Sequence, residues 1–343
     1  MKAAVLHGKE LVRIEEVPQA PLRLGEVRIN IRAALTCGTD LKVYRRGYHA
    51  KMIVPPEVFG HELAGIIAEV GEGVAHWRAG DRVVVANSAP CDGCVYCRAG
   101  QQNLCDDLQF LNGAYAECIT VPPRLVQKSL LRVGSGTGFA DAALVEPLAC
   151  VVLGVEETGL RRGEHVLVVG AGPIGLMFVV LARQLGCEVT VAGRGEKRLA
   201  AARRLGASQT IVVGDRSGLV EAVRGATPTP FDAVIEAVGK PEVWEAAAKL
   251  VRKGGRVNFF GGCPTGTRVS FDTGWLHYSS VRLLASFHHT PASVRRALEW
   301  IERGVVRAAD FVDGECPLSR LPQLFQAMAA GNRAVKTLIR VGD

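Results

Sequence analysis

Apolar residues up to about Val145 come in short runs. Glu26 to Ala33, Ala64 to Val70 and Asp81 to Val85 are rich in valine and isoleucine, the pattern of half-buried strands. Glycine and proline separate them, as in Val54-Pro55-Pro56 and Gly71-Glu72-Gly73, and such clusters mark turns. From about Gly163 the texture changes. The strand-like His165 to Val169 leads into a helical pattern ending near Leu185, and Glu188 to Ala192 leads into another from Glu196 to Leu205. Phe231 to Glu236 and Arg256 to Phe260 continue the series. This alternation predicts a doubly wound parallel sheet with helices on both faces. Near the end, helical patterns at Ser293 to Arg303 and Leu321 to Ala330 precede a strand-like Lys336 to Val341. The chain shows no internal repeat and no low-complexity segment.

A length of 343 residues fits two or three domains, each able to bury a core without disulfides. With 48% apolar and 22% charged residues, collagen-like, coiled-coil and disordered chains are excluded. The net charge of +7 raises the question of nucleic acid, but the arginines of Arg203-Arg204 and Arg295-Arg296 lie in helical patterns among alanine and leucine. No block of five like charges occurs, so a nucleic-acid partner is not expected. The N-terminus lacks a long apolar segment of the secretory kind. The longest uncharged apolar run, Val166 to Ala182, is broken by Gly170, Gly172, Pro173 and Gly175, which argues against a membrane span. A cytoplasmic location is expected, and there the ten cysteines point to metal or catalysis before disulfides.

Cys91, Cys94, Cys97 and Cys105 lie within one short segment containing Gly93 and Gly100. Four thiolates close a tetrahedral zinc shell, and short spacings let one loop supply them all. An iron–sulfur cluster is the rival, but its common spacings differ. A closed all-cysteine site leaves no open position, so its expected role is structural. Cys118, Cys150, Cys187, Cys263 and Cys316 read as buried thiols.

Gly170-Ala171-Gly172-Pro173-Ile174-Gly175 follows the apolar run Val166 to Val169 and opens a helical pattern. The first glycine allows the tight turn, the second the approach of a pyrophosphate, and the third close helix packing. The phosphates then sit at the helix N-terminus. NAD sites place an acid at the end of the next strand to bind the ribose hydroxyls. Here Gly193 stands in that place, followed by Arg194 and Arg198, which suit a 2′-phosphate. NADP is favoured over NAD. Against this, the arginines could be solvated helix-start residues and Glu196 could reach the ribose.

Three further residues matter together. Cys37 lies in Leu35-Thr36-Cys37-Gly38-Thr39-Asp40, His61 in Phe59-Gly60-His61-Glu62, and Glu146 in Val145-Glu146-Pro147-Leu148. A lone histidine or cysteine is more often core than ligand. Together they offer thiolate, imidazole and carboxylate, and three protein ligands with one exchangeable position are the pattern of catalytic zinc.

In that order of motifs the chain resembles the zinc-dependent medium-chain alcohol dehydrogenases along essentially its whole length, most closely their sorbitol (polyol) and threonine branch. The Glu-Pro-Leu of Glu146 to Leu148 is typical of that branch. The resemblance implies a GroES-like β-barrel catalytic domain over residues 1–147 and 287–343, with a structural-zinc lobe at about 88–108. It also implies a Rossmann domain over 148–286, with Ala237, Val238 and Gly261 lining the nicotinamide end of the cleft between the domains. Cys37, His61 and Glu146 would surround a catalytic zinc, with Glu62 an alternating ligand, making two zincs per chain. Asp40 would orient His61. Thr39 would bind the substrate oxygen and start a proton relay. Lys42 stands where relatives often have a histidine that passes the proton on, and either Lys42 or water would do so here.

The implied activity is hydride transfer between a secondary alcohol or polyol, or the corresponding ketone, and NADP in preference to NAD, by a homodimer or homotetramer. An NAD-linked threonine or amino-alcohol dehydrogenase is the alternative, followed by an inactive cofactor-binding protein. A zinc-independent reductase on the same scaffold would lack the cysteine quartet. Tyr44, Tyr48, His49, Phe59, Phe110 and His288-His289 are candidate pocket residues; for Tyr44 and Tyr48 a surface or core role is the equal alternative, and for the histidine pair a structural role is the leading one.

Overall fold

Val27, Ile29 and Ile31 alternate with Arg28, Asn30 and Arg32, so the strand Val27–Leu35 buries one face while its polar side chains stay more accessible. This strand is central to the first of two compact units in the computed structural model, which describes residues 1–49, 52–214, 218–332 and 334–341. One unit comprises Met1–Ala149 and His289–Asp343, the other Cys150–His288. Among the described residues, no helix is long and apolar enough to cross a membrane.

In the first unit the main sheet runs Leu130–Arg132, Arg82–Val85, Glu62–Val70, Val27–Leu35, Lys336–Arg340 and Val312–Pro317. Cys118–Val121 also pairs with Val27–Leu35. All these pairs are antiparallel except the last, Val312–Pro317 with Lys336–Arg340. A smaller sheet joins Leu11–Glu16, Lys2–Gly8 and Glu57–Val58. Register decides where chemistry can gather. Leu35 lies opposite both Glu62 and Leu338. Cys37, His61 and Lys336 therefore emerge at the same end of three neighbouring strands.

Between these elements lies an aromatic cluster. Phe325, on the helix Leu321–Ala329, packs against Tyr44 at 5.5 Å and Phe59 at 5.1 Å between ring centroids. Tyr115 meets Phe59 edge-on at 5.5 Å. Tyr44 and Phe59, candidates for a pocket on sequence grounds, are core residues here, only 3% and 1% exposed. Tyr48 is exposed instead.

The second unit is a parallel six-stranded sheet in the order Gln209–Val212, Glu188–Gly193, His165–Val169, Phe231–Glu236, Val251–Phe259 and Arg282–Leu284. The strand order reverses between His165–Val169 and Phe231–Glu236, which is the topological switch point of a doubly wound sheet. Leu167, Val169, Val234, Val257 and Phe259 are among its core. The strands flanking the sheet, Gln209–Val212 and Arg282–Leu284, were not expected, because both are short and their apolar patterns are too brief to stand out. Of the five cysteines expected to be buried, Cys118, Cys187 and Cys316 are, whereas Cys150 and Cys263 are half-buried.

Candidate active site and metal centres

Cys37 caps the helix Gly38–Arg46. Its sulfur accepts the Thr39 N–H at 3.4 Å, and the Asp40 carboxylate accepts the Cys37 N–H at 3.1 Å. The local sequence thus fixes both residues by reciprocal capping. The other oxygen of Asp40 lies 2.8 Å from Nδ1 of His61, which leaves Nε2 of that ring as the outward nitrogen. Tyr115 completes the arrangement, donating its hydroxyl to Asp40 at 2.5 Å. Gly60 has φ of +93°, and a Cβ there would lie 2.6 Å from the Tyr115 ring. A glycine is therefore what lets Tyr115 close over Asp40.

The ligand atoms of Cys37, His61 and Glu62 lie within 4.8 Å of one another. His61 and Glu62 are buried, at 5% and 0% exposure. Burial opposes charge on His61, but the Asp40 carboxylate and the Cys37 sulfur outweigh it and hold the imidazole well above its ordinary pKa. Burial pushes the Glu62 carboxyl up, and Lys336 pulls it back. Lys336 is the residue the sequence reading missed. Its ammonium donates to both Glu62 oxygens, at 2.7 and 2.5 Å, and to the Thr36 carbonyl at 3.0 Å. A lysine in a final apolar strand was its only sequence signal, and the partner lies 274 residues away.

Glu146 opens the helix Val145–Thr158 and is buried, which raises its pKa to about 7. Its carboxylate is grouped not with Cys37, His61 and Glu62 but with His289, within 4.8 Å. The charge of His61 still acts on it. His289 is buried, lies 3.0 Å from the Asn87 amide oxygen, and has its pKa lowered to about 3, by burial first and His61 second. It is therefore a neutral imidazole. Thr39 is half-buried beside Cys37, and Lys42 is exposed on the same helix.

A cysteine sulfur, an imidazole on a carboxylate-held tautomer and buried acids form a donor set suited to zinc. The same test applies to the quartet. The sulfurs of Cys91, Cys94, Cys97 and Cys105 lie within 4.8 Å of one another, and all four cysteines are free of disulfides. Backbone N–H groups point at them: Cys91 to Cys105 at 3.2 Å, Gly93 and Cys94 to Cys91 at 3.3 Å, and Cys97 to Cys94 at 3.5 Å. The N–H of Asp106, with that of Cys97, draws the Cys94 thiol down to about 6, while burial pushes Cys97 up to about 12. Sulfurs crowded in this way and lined by N–H donors fit a four-thiolate metal shell.

In the parallel-sheet unit the glycine-rich loop takes the form its chemistry requires. Gly170 has φ of +111°, and a Cβ on Gly175 would lie 1.9 Å from the Gly170 carbonyl oxygen. Gly172 caps the helix Pro173–Gln184, with Pro173 and Ile174 in its first turn. Gly193 ends its strand against Ala171, and a Cβ there would lie 2.9 Å from the Ala171 methyl. Arg194 is exposed and Arg198 half-buried. Glu196, the alternative ribose partner, pairs instead with Arg203 on its own helix. Val238 is exposed and Ala237 and Gly261 half-buried at the carboxyl end of the sheet.

Comparison with known proteins agrees with this anatomy. The family model for the alcohol dehydrogenase GroES-like domain matches residues 23–130, and that for the zinc-binding dehydrogenase matches residues 173–303. The D-altritol 5-dehydrogenase of Agrobacterium fabrum (strain C58) is 36% identical over 323 residues, covering 91% of each chain. The sorbitol dehydrogenase of Bacillus subtilis (strain 168) is 28% identical over 347 residues, covering 99% of this chain and 97% of that protein. A structure from Sinorhizobium meliloti 1021, assigned there as a zinc-binding dehydrogenase and bound to NADP, superposes with a TM-score of 0.90 at 29% identity, covering 99% of this chain and 98% of that one.

Proposed function

The chain belongs to the zinc-dependent medium-chain dehydrogenases, and from that premise we propose that it transfers a hydride between a secondary alcohol or polyol, or the matching ketone, and NADP. The observation that carries the reading is the cluster of Cys37, His61 and Glu62 with Asp40 fixing the imidazole. Zinc held by Cys37, His61 and Glu146, with Glu62 exchanging, would supply Lewis acidity toward the alcohol or carbonyl oxygen. A second zinc on Cys91, Cys94, Cys97 and Cys105 would brace its lobe.

The protein's own groups do the rest. Asp40 holds the His61 ring in one tautomer, so that Nε2 faces the other donors. The Thr39 hydroxyl takes the proton of the substrate alcohol and passes it outward, with Lys42 or solvent receiving it. The loop from Gly170 to Gly175 offers its glycine turn and helix N-terminus to the pyrophosphate. Gly193 presents no carboxylate to repel a 2′-phosphate, and Arg194 and Arg198 pair with it. The NADP bound to the Sinorhizobium relative supports this preference. The polyol reading draws support from the sugar-alcohol enzymes among its relatives.

The test follows reduced nicotinamide by its near-ultraviolet absorbance, with polyols, secondary alcohols and amino alcohols, each given NAD and NADP. Turnover with NADP and a polyol or secondary alcohol is expected. Arg194→Ala should raise the KM for NADP about tenfold or more, the worth of one charge-assisted hydrogen bond, and leave that for NAD unchanged. A preference for NAD that Arg194→Ala does not alter would overturn the coenzyme assignment. Turnover confined to amino alcohols would overturn the substrate class.

A further inference from the structure

Glu236 ends the strand Phe231–Glu236 and is fully buried. A buried carboxylate needs donors close by, and this one finds them in the turn that follows it. One oxygen accepts the N–H of Val238 at 2.7 Å and that of Gly239 at 3.0 Å, and the other lies 3.3 Å from the Gly239 nitrogen. The backbone carbonyl of Glu236 accepts from Phe260 at 3.0 Å and Gly261 at 2.8 Å.

Two glycines show how tightly this is built. A Cβ on Gly261 would lie 2.3 Å from the Gly239 nitrogen and 2.7 Å from the Glu236 carboxylate. Gly239 has φ of +75°, and a Cβ on it would lie 2.5 Å from the Gly262 carbonyl oxygen. On its other side the turn meets the glycine-rich loop, where a Cβ on Gly170 would lie 3.0 Å from the Val238 side chain. Glu236 thus joins three loops at the carboxyl end of the sheet.

That end, at the switch point, is where a doubly wound sheet receives its ligand. The pyrophosphate belongs to the loop from Gly170 to Gly175. The half of a dinucleotide that does not bind beside Gly193 must then pass over the strand Phe231–Glu236 and its turn. Val238 is 38% exposed there, an apolar side chain held outward by a turn whose N–H groups point inward at Glu236.

We propose that Glu236 is a positioning residue for the nicotinamide half of the coenzyme. It does not touch the coenzyme. Its buried carboxylate freezes the turn 237–239 so that Val238 is presented at the crevice before binding. The inference rests on the dinucleotide reading given above.

The test compares two ligands on the zinc-replete full chain by calorimetry: NADPH, and an adenosine bisphosphate that carries the ribose phosphate but no nicotinamide. Glu236→Ala removes both acceptors. It should raise the Kd for NADPH about tenfold, the worth of ordering one loosened backbone residue on binding. The Kd for the fragment should stay within about twofold, because its half of the site makes no use of the turn. Glu236→Gln keeps one acceptor oxygen and should shift NADPH in the same direction by a smaller factor, which decides the matter alone if the alanine variant does not fold. Equal losses for both ligands would mean a general structural role and overturn the proposal, as would no loss for either. A wild-type protein that binds neither ligand would overturn the dinucleotide reading and this inference together.

Discussion

Lys336→Met keeps most of a buried side chain's length and removes its charge. In the native protein the ammonium donates to both oxygens of Glu62 and to the Thr36 carbonyl, and the two charged side chains are 2% and 0% exposed. Burial opposes the charge on Lys336, but Glu62 and, behind it, Cys37 raise its pKa above the ordinary value. Removing one member of such a pair costs about 3–5 kcal/mol, because the other is left buried without a partner. The loss has a ceiling. Glu62 can escape by taking up a proton, which at pH 7 costs about 1.4 kcal/mol for each unit above an ordinary value near 4.3, or about 3.7 kcal/mol. The two limits meet at about 3–4 kcal/mol. The assay is urea denaturation of metal-free protein at neutral pH, so that no zinc charge compensates Glu62, read by a probe in the unit that contains the pair. Lys336→Met/Glu62→Gln replaces both charges by neutral groups of similar size and should recover most of the loss. A single variant within about 1 kcal/mol of wild type would refute the argument, since a desolvated pair cannot be opened that cheaply. A double variant no more stable than the single one would refute it equally.

Four further variants probe other parts of the structure. Cys94→Ser should lower bound zinc, measured by elemental analysis, from two to one per chain and make the lobe susceptible to proteolysis, while Cys37→Ala should remove the other zinc and turnover but leave the lobe intact. Tyr115→Phe deletes the hydroxyl donated to the buried Asp40 and should destabilise by about 1.5–3 kcal/mol in denaturant titration, the worth of a hydrogen bond to a charged group. Asp81 is held below its ordinary value of 3.8, first by the hydrogen bond from Arg132, so its contribution to stability is complete above that pH and is lost as pH falls through the lower folded value. The stability difference between wild type and Asp81→Asn should accordingly be constant from neutral pH to about pH 4 and shrink below it.

What could be seen in the sequence and what could not divide along a physical line. The cysteine quartet and the glycine-rich loop are local: each forms from residues close in the chain, so spacing alone carries the signal. The strands His165–Val169, Glu188–Gly193 and Phe231–Glu236 were visible for a related reason, since strands buried in a parallel sheet read as continuous apolar runs. For Tyr44 the sequence leaves pocket, surface and core equally open, and Phe59 stands only as a possible pocket residue. Their actual neighbour, Phe325, comes from the far end of the chain, and no local pattern announces it.

Lys336 shows where that line runs inside the site itself. Cys37 and Asp40 are fixed by the helix cap they share, a contact between residues three apart, whereas the roles expected of them came from the family resemblance. The relation of Glu62 to the same site depends on the register of three strands. Leu35 opposite Glu62 on one side and Leu338 on the other brings a lysine from the final strand onto a carboxylate at the start of the strand Glu62–Val70. A shift of that register by one residue would turn Lys336 to the opposite face. Glu62 would then be a buried acid without its cation, and the donor set of Cys37, His61 and Glu62 would carry an uncompensated charge. The cap that holds Cys37 and Asp40 is thus a local property of the sequence, while the charge balance of the site is a property of the sheet.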